Sequence, residues 1–371
     1  MDQVNQLVDT IKSYFNRSVP VGLDITSDTI VVVELKKQRN VIYLENVAVA
    51  NTPVGAVQDG EISDPAAVAE VIANLLSENE IQAKSAIAAV SGQSTIVRPV
   101  RFPPMPESEM KEVINYEAER YIPFAIDDVN LSFQVVNEVE EDGVPKQEII
   151  LVAAQKNLVN SYIQTAQEAG LDLTCIDVAS FSVLRTIADT EQMQDGQTCA
   201  LILIQGWTTD INIMVSGVPR FSRSIPIGYS YFLDSIANSL GLDEDAARQL
   251  LDEIDIDPQN YDASNPQIEQ ATEIIRPALA ELTGEIGRSL DFYLSQGTDP
   301  IDNVLISGRG ANLTNLDRFL TTRLGLQVSL ANPFAKIEVD ENSFDPDLLY
   351  PQAPTLATAI GLAMRGVQGA Y

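Results

Sequence analysis

Residues 201–217, LILIQGWTTDINIMVSG, join an unbroken apolar run to a Gly-Trp-Thr-Thr turn and a second run in which polar and apolar positions alternate. The first run has the pattern of a buried strand, the second that of a strand with one buried face. A turn of small hydroxyl residues between them offers backbone N–H groups and Thr oxygens, the groups that cradle a phosphate. Two more turns share this chemistry, DITSD at 24–28 and SGRGA at 307–311, each following an apolar strand. The third is expected to open a helix, where free N–H groups point at an anion.

The chain has 371 residues, 45% hydrophobic and 20% charged, enough for one large or two medium cores. No stretch approaches the roughly 18 apolar residues of a membrane span, and the start lacks the basic and apolar regions of a signal peptide, so a cytoplasmic location is expected. There is no histidine, and Cys175 and Cys199 sit in apolar surroundings without a CxxC spacing. Zinc sites of the Cys/His type and His-dependent acid–base chemistry are excluded, and two reduced core thiols are expected. With 23 Lys+Arg against 53 Asp+Glu the net charge is −30, which opposes binding to nucleic acid or anionic lipid and favours basic partners.

Along the chain, Val4, Leu7, Val8, Ile11 and Phe15 make one stripe of an amphipathic helix. Three strand-like runs over 20–48 read as an antiparallel meander, followed by a helix (PAAVAEVIANLLSENEI) and a short buried strand (AKSAIAAVSG). Residues 94–173 then read strand, helix, strand, strand, helix, a unit whose elements could pack on one another. Prolines stop its first strand, Pro123 ends its first helix, and Gly170 closes its second. A further strand and helix lead to the opening stretch, a helical region from about 230 to 296 interrupted by the linker IDIDPQNYDASNPQ, a strand–turn–helix around SGRGA, and a closing apolar helix, TLATAIGLAMRG.

The three turns in this order resemble the actin-like ATPase superfamily, in which two hairpins clasp the phosphates and the third turn supports the adenosine. VRPVRFPPMPESEM, INYEAERYIPFAIDDVNLSFQVV, AGLDLTCIDVASFSVLR, ANPF and ATAIGLAMRG narrow the resemblance to the PilM family of type IV pilus assembly proteins, relatives of the cell-division protein FtsA. It covers essentially everything after residue 20. The implied fold is a two-lobed α/β actin-like ATPase fold, with duplicated ribonuclease-H-like cores and an inserted subdomain of the FtsA and PilM type. The implied division is an amphipathic segment at 1–19; a first actin-like subdomain at 20–93, completed by 174–196 and 350–366; the inserted subdomain at 94–173; a second actin-like subdomain at 197–234, completed by 300–349; and a helical subdomain at 235–299 over the cleft.

The resemblance implies ATP with Mg²⁺ as ligands, held by Asp24, Thr26, Ser27, Gly206, Thr208, Thr209, Gly228, Gly308 and Arg309, with Asp24 reaching the metal through water. The same pocket departs from the family pattern. Thr26 and Val31 replace a Gly and a Lys of the first hairpin, Ile204 replaces the acid of the second, Arg309 interrupts the glycine run of the third turn, and Ala247 and Leu250 stand where relatives carry a Glu and a Lys facing the ribose and base. An isoleucine offers no metal ligand, charge or proton acceptor. Hydrolysis is therefore expected to be absent and nucleotide binding weak or lost.

The resemblance further implies a groove between the inserted and first subdomains that receives the short cytoplasmic tail of the membrane protein PilN, with Tyr121, Ile122, Pro123 and Phe124 as its apolar anchors. An adaptor of pilus assembly, recruited to the inner membrane through partners and open to self-association, is the expected role. FtsA-like polymerising tethers are the alternative. They continue past the final helix into a membrane-binding tail, whereas this sequence ends GLAMRGVQGAY, which favours the adaptor. A small kinase of the superfamily would need a general base near the second hairpin, where Ile204 stands and Asp210 belongs to the wrong stretch.

Overall fold

The computed structural model describes residues 19–257, 265–297 and 299–369. The expected amphipathic helix at 1–19 lies outside them apart from Val19, as does the middle of the linker within 254–267.

The meander builds the first sheet. β1 (Val21–Ile25) is buried at every position because it lies mid-sheet, antiparallel to β2 (Thr29–Gln38) and parallel to β6 (Ser85–Val90). β3 (Val41–Asn51) is an edge strand of mixed exposure. A short hairpin, β4 (Val57–Gln58) and β5 (Glu61–Ile62), leads into α1 (Pro65–Glu78), whose N-cap Asp64 accepts the Ala67 N–H.

β7 (Thr95–Phe102) leaves this sheet and starts another, in the order β7-β9-β8, together with α2 (Glu107–Glu117), β8 (Val129–Glu141) and β9 (Val144–Gln155). Pro99 is tolerated because β7 is an edge, and β7 ends before the paired prolines. Asp142 and Gly143, with φ of 54° and 75°, form the two-residue turn that matches the twist of β8 and β9. Val100, Phe102, Met110, Ile114, Ile149 and Leu151 give this unit its own core.

The end of the unit differs from the expected 94–173. α3 (Lys156–Glu168) does not close it: Leu158, Tyr162 and Ala166 join β1, β6 and α1 in the core of the first lobe. β9 carries the chain back to the first sheet, and Gly170, at φ 80°, turns it into β10 (Asp172–Val178), which pairs parallel with β6.

After α4 (Ala179–Ile187) the second lobe repeats the first. β11 (Thr198–Ile204) is its central strand, paired antiparallel through β12 (Thr209–Val215) to β13 (Val218–Ile225). α5 (Tyr229–Leu240), α6 (Glu244–Glu253) and α7 (Pro266–Ser295) follow as the helical region. β14 (Asn303–Ser307), α8 (Leu316–Leu324) and β15 (Val328–Leu330) complete the sheet. The orders β10-β6-β1-β2-β3 and β15-β14-β11-β12-β13 are the same pattern, although no repeat is visible in the sequence.

The short α9 (Pro346–Leu349) precedes α10 (Ala353–Gln368), which is buried almost all round. α4 and α10 supply Val183, Ile187, Ala357 and Leu362 to a core that also takes Ile87 from the first sheet and Leu201, Leu203 and Leu305 from the second, so one apolar layer ties the lobes together. Gly361 makes this possible, because any side chain there would run into the Ser182 carbonyl. Among the described residues no helix is long and apolar enough to cross a membrane.

Candidate functional site

The first two turns meet across the cleft between the lobes. A Cβ on Gly206 would collide with Ser27 Oγ, and one on Gly228 would collide with the carbonyls of Gln205 and Gly206. Gly228 caps α5, whose first N–H groups are already used: Tyr229 donates to the Gln205 carbonyl and Ser230 to the Gly206 carbonyl, each at 2.8 Å. The Thr26 hydroxyl donates within its own turn, to Asp28 Oδ1 at 2.9 Å, and that of Thr209 donates to the Ile227 carbonyl at 2.6 Å. Thr208 is buried beside Gly92, and of Thr26, Ser27, Thr208 and Thr209 it is Ser27, 3.4 Å from Ser230 Oγ, that lines the cleft cavity.

Asp24 is buried at the end of β1 and accepts a hydrogen bond from Thr358 of α10. Burial, with Asp28 beside it, pushes its carboxyl up to about 7. Among the described residues no cluster of three or more acidic or cysteine ligands is grouped around it or elsewhere.

The third turn packs against the end of β11 and reaches the first turn through the Arg309 side chain. Gly308 and Gly310 lie against Ile204, which is fully buried, and the turn passes into a 3₁₀ segment rather than directly into α8. Arg309 reaches over the Tyr229 ring, its guanidinium 4.9 Å from the centroid, and donates to Asp252 Oδ2 at 3.2 Å. Its Nε stands 3.7 Å from Asp28 Oδ2. Tyr229 donates to the other oxygen of Asp252 at 3.2 Å, closing the cluster. Asp28 is 2% exposed; burial raises its carboxyl and Arg309 pulls it back.

Beside this cluster a cavity of about 440 Å³ is lined by Ser27, Asp28, Trp207, Ser230, Glu244 and Arg248. Ala247, expected to face the ribose, is buried in the apolar core of the second lobe instead, with Leu250 half-buried against that core. Arg248 occupies the cleft face, bound to Glu244 at 2.5 Å one helical turn back. Asp28, Tyr229, Asp252 and Arg248 were missed in the sequence. Only Arg248 carried a local signal, the Glu-Arg spacing of four.

A larger groove, about 750 Å³, opens between the inserted sheet and the first lobe. Phe133, Val136, Ile150 and Val152 come from the insert, Val178, Phe181 and Leu184 from β10 and α4, and Val218 and Pro219 from the second lobe. At its wall Asp177 Oδ2 is held by Arg185 at 2.9 Å and Arg365 at 2.7 Å. Cys199 is a core thiol as expected, but Cys175 is half-buried and lines this groove.

None of Tyr121, Ile122, Pro123 and Phe124 lines the groove. Ile122 is a core residue of the insert, Phe124 packs beside it, and Tyr121 stacks edge-on to Phe102 at 6.1 Å and faces a different groove. Pro123 is exposed. α2 ends at Glu117, ahead of Pro123, and passes through a 3₁₀ turn, Ala118–Arg120, after which Tyr121, Ile122 and Phe124 close the core of the insert.

Two lobes of one topology, joined by a shared helical layer and facing each other through paired hairpin turns, are an actin-like ATPase fold. At the level of fold alone this chain is similar to the ethanolamine utilization protein EutJ from Carboxydothermus hydrogenoformans (TM-score 0.55, 16% identity, 93% of this chain and 89% of that one) and to MreB 5 of Spiroplasma citri bound to AMPPNP (TM-score 0.52, 14% identity, 92% and 94%). Residues 22–367 match the family described as type IV pilus assembly protein PilM, and the chain belongs to that family. It is also similar to a solved PilM-PilN type IV pilus biogenesis complex, with a TM-score of 0.83 and 30% identity over 95% of this chain and 99% of that one.

Proposed function

We propose that this chain is an adaptor of type IV pilus assembly. It holds the N-terminal tail of a PilN-like membrane protein in the groove between the insert and the first lobe, and so links the inner-membrane platform to the assembly machinery from the cytoplasmic side, without hydrolysing ATP. The observation that carries this reading is the groove itself: three parts of the chain converge on one apolar channel, and the Arg185–Asp177–Arg365 cluster sets polar groups at its wall. Such a channel suits an extended tail anchored by apolar side chains.

The residues present do not fit ATP with Mg²⁺. The two phosphate turns touch, the leading N–H groups of α5 are spent on carbonyls, and Arg309 lies over Tyr229 with its own carboxylate partners. Ile204, buried beneath Gly308 and Gly310, supplies no acid to orient water.

The test is fluorescence anisotropy of a synthetic peptide with the N-terminal sequence of the cognate PilN. We expect micromolar binding, equal with and without MgATP. Changing Phe181 to Ser removes a groove anchor and is expected to weaken binding about thirtyfold, the loss of one good anchor, with an unchanged circular dichroism spectrum. Wild-type affinity in F181S, or binding that requires MgATP, would overturn the reading.

A further inference from the structure

The first described residues lie beside the proposed tail groove. Val19 is exposed, and the Pro20 carbonyl lies so close to Gly366 of α10 that a Cβ there would collide with it. The residue before Gly366 on that helix, Arg365, belongs to the groove wall and donates to Asp177 of β10 at 2.7 Å. β1, which Val21 opens, is separated from β10 by β6 alone, and Val21 and Leu173 both stand opposite Ala86. Two strand spacings amount to about 10 Å, so the segment ahead of β1 joins the body about that far from the strand that edges the groove.

That segment, residues 1–18, MDQVNQLVDTIKSYFNRS, lies outside the described part of the chain and carries one apolar stripe, Val4, Leu7, Val8, Ile11 and Phe15. Eighteen residues reach about 27 Å as a helix and further when extended, more than twice the distance to be crossed. A helix of that length is marginal in water unless its apolar face is covered. The side-chain charges of Asp2, Asp9, Lys12 and Arg17 sum to zero, so an anionic lipid surface gains nothing from them. Apolar cover is at hand in the groove, where Cys175 of β10 and Leu184 and Ala188 of α4 line the same channel as Arg365.

We propose that residues 1–18 dock within their own chain over this part of the groove, through Leu7, Ile11 and Phe15, and compete there with the PilN-like tail. The inference rests on the tail-groove reading and adds regulation to it: the groove has an occupant of its own, which the tail displaces. A short tether gives an effective concentration of about 1 mM. A contact with an intrinsic dissociation constant of about 0.1 mM then leaves the groove open about one tenth of the time, and the apparent affinity for the tail falls about tenfold. A segment too weak to bind as a free partner at cellular concentration is sufficient when it is tethered.

Fluorescence anisotropy on the full chain tests it, with the synthetic PilN tail peptide and, separately, a labelled peptide of residues 1–18. The variant L7S/I11S alters the segment and leaves residues 19–369 unchanged; it is expected to bind the tail peptide about tenfold more tightly than wild type. The labelled 1–18 peptide is expected to bind L7S/I11S and to be released by unlabelled tail peptide. Equal tail affinity in wild type and L7S/I11S would overturn the competition and leave the tail groove standing. Failure of the 1–18 peptide to bind, or binding that the tail peptide does not displace, would put the segment on another surface and overturn the proposal as well. An affinity gain seen only at high chain concentration would place the segment of one copy on another copy, against the intramolecular contact. A tail peptide that binds neither form would overturn the groove reading itself, and the competition with it.

Discussion

Asp24 keeps its carboxyl under conditions that favour its neutral form. It is 6% exposed, and burial together with the neighbouring Asp28 raises it to about 7, while the hydrogen bond from Thr358 works the other way. An unfolded aspartate titrates near 4, so between about pH 4 and about pH 7 the folded chain binds more protons than the unfolded one. The stability this group contributes is therefore present below its unfolded value and is lost as pH rises through about 7. Asp28 shifts in the same direction, held back by Arg309. Changing Asp24 to Asn removes the titration while keeping an acceptor for Thr358. We expect the melting temperature of D24N to fall less steeply than that of wild type as pH rises from about 5 to about 7. Parallel curves would mean that Asp24 is charged in the folded protein throughout that range.

Elements were easier to read from the sequence than their neighbours. The unbroken apolar run of β11, the Asp-Gly turn of the β8–β9 hairpin and the all-round apolar α10 each carry a local pattern that dictates the element. α3 shows the limit. Its apolar stripe is plain in the sequence, but a stripe does not say which sheet it will cover, and Leu158, Tyr162 and Ala166 meet the first lobe rather than the insert. Leu158 is completely buried there, so L158A is expected to cost about 2–5 kcal/mol in urea unfolding. Hydrogen exchange tells which core has been loosened. Amides of β1 and β6 are expected to lose protection more than those of β8 and β9, and the opposite order would return α3 to the insert.

At the scale of the whole molecule the lobes are held together by the α4–α10 layer and, across the cleft, by Arg309. The fold was legible because three similar turns recur in a fixed order along the chain. The Arg309 cluster was not, because its members, Asp28, Tyr229, Asp252 and Arg309, come from four distant segments whose meeting no spacing announces. Arg309 links the first lobe at Asp28 to the second at Asp252, so the clamp acts between bodies rather than within one. Changing Arg309 to Met keeps much of the side chain's bulk but leaves Asp28 buried without its cation. Removing one partner of a buried pair costs more than replacing both. Because Asp28 already titrates high, and so takes up a proton more readily, we expect R309M to lose about 1–3 kcal/mol, less than a fully buried pair would. The double variant D28N/R309M, with no buried carboxylate left stranded, is expected to recover a large part of that loss. A small-angle scattering profile should show a wider molecule for R309M than for the double variant if the clamp holds the cleft closed. Equal losses in the single and double variants, with identical scattering, would show that Arg309 merely rests in the cleft and that the α4–α10 layer alone sets the position of the lobes.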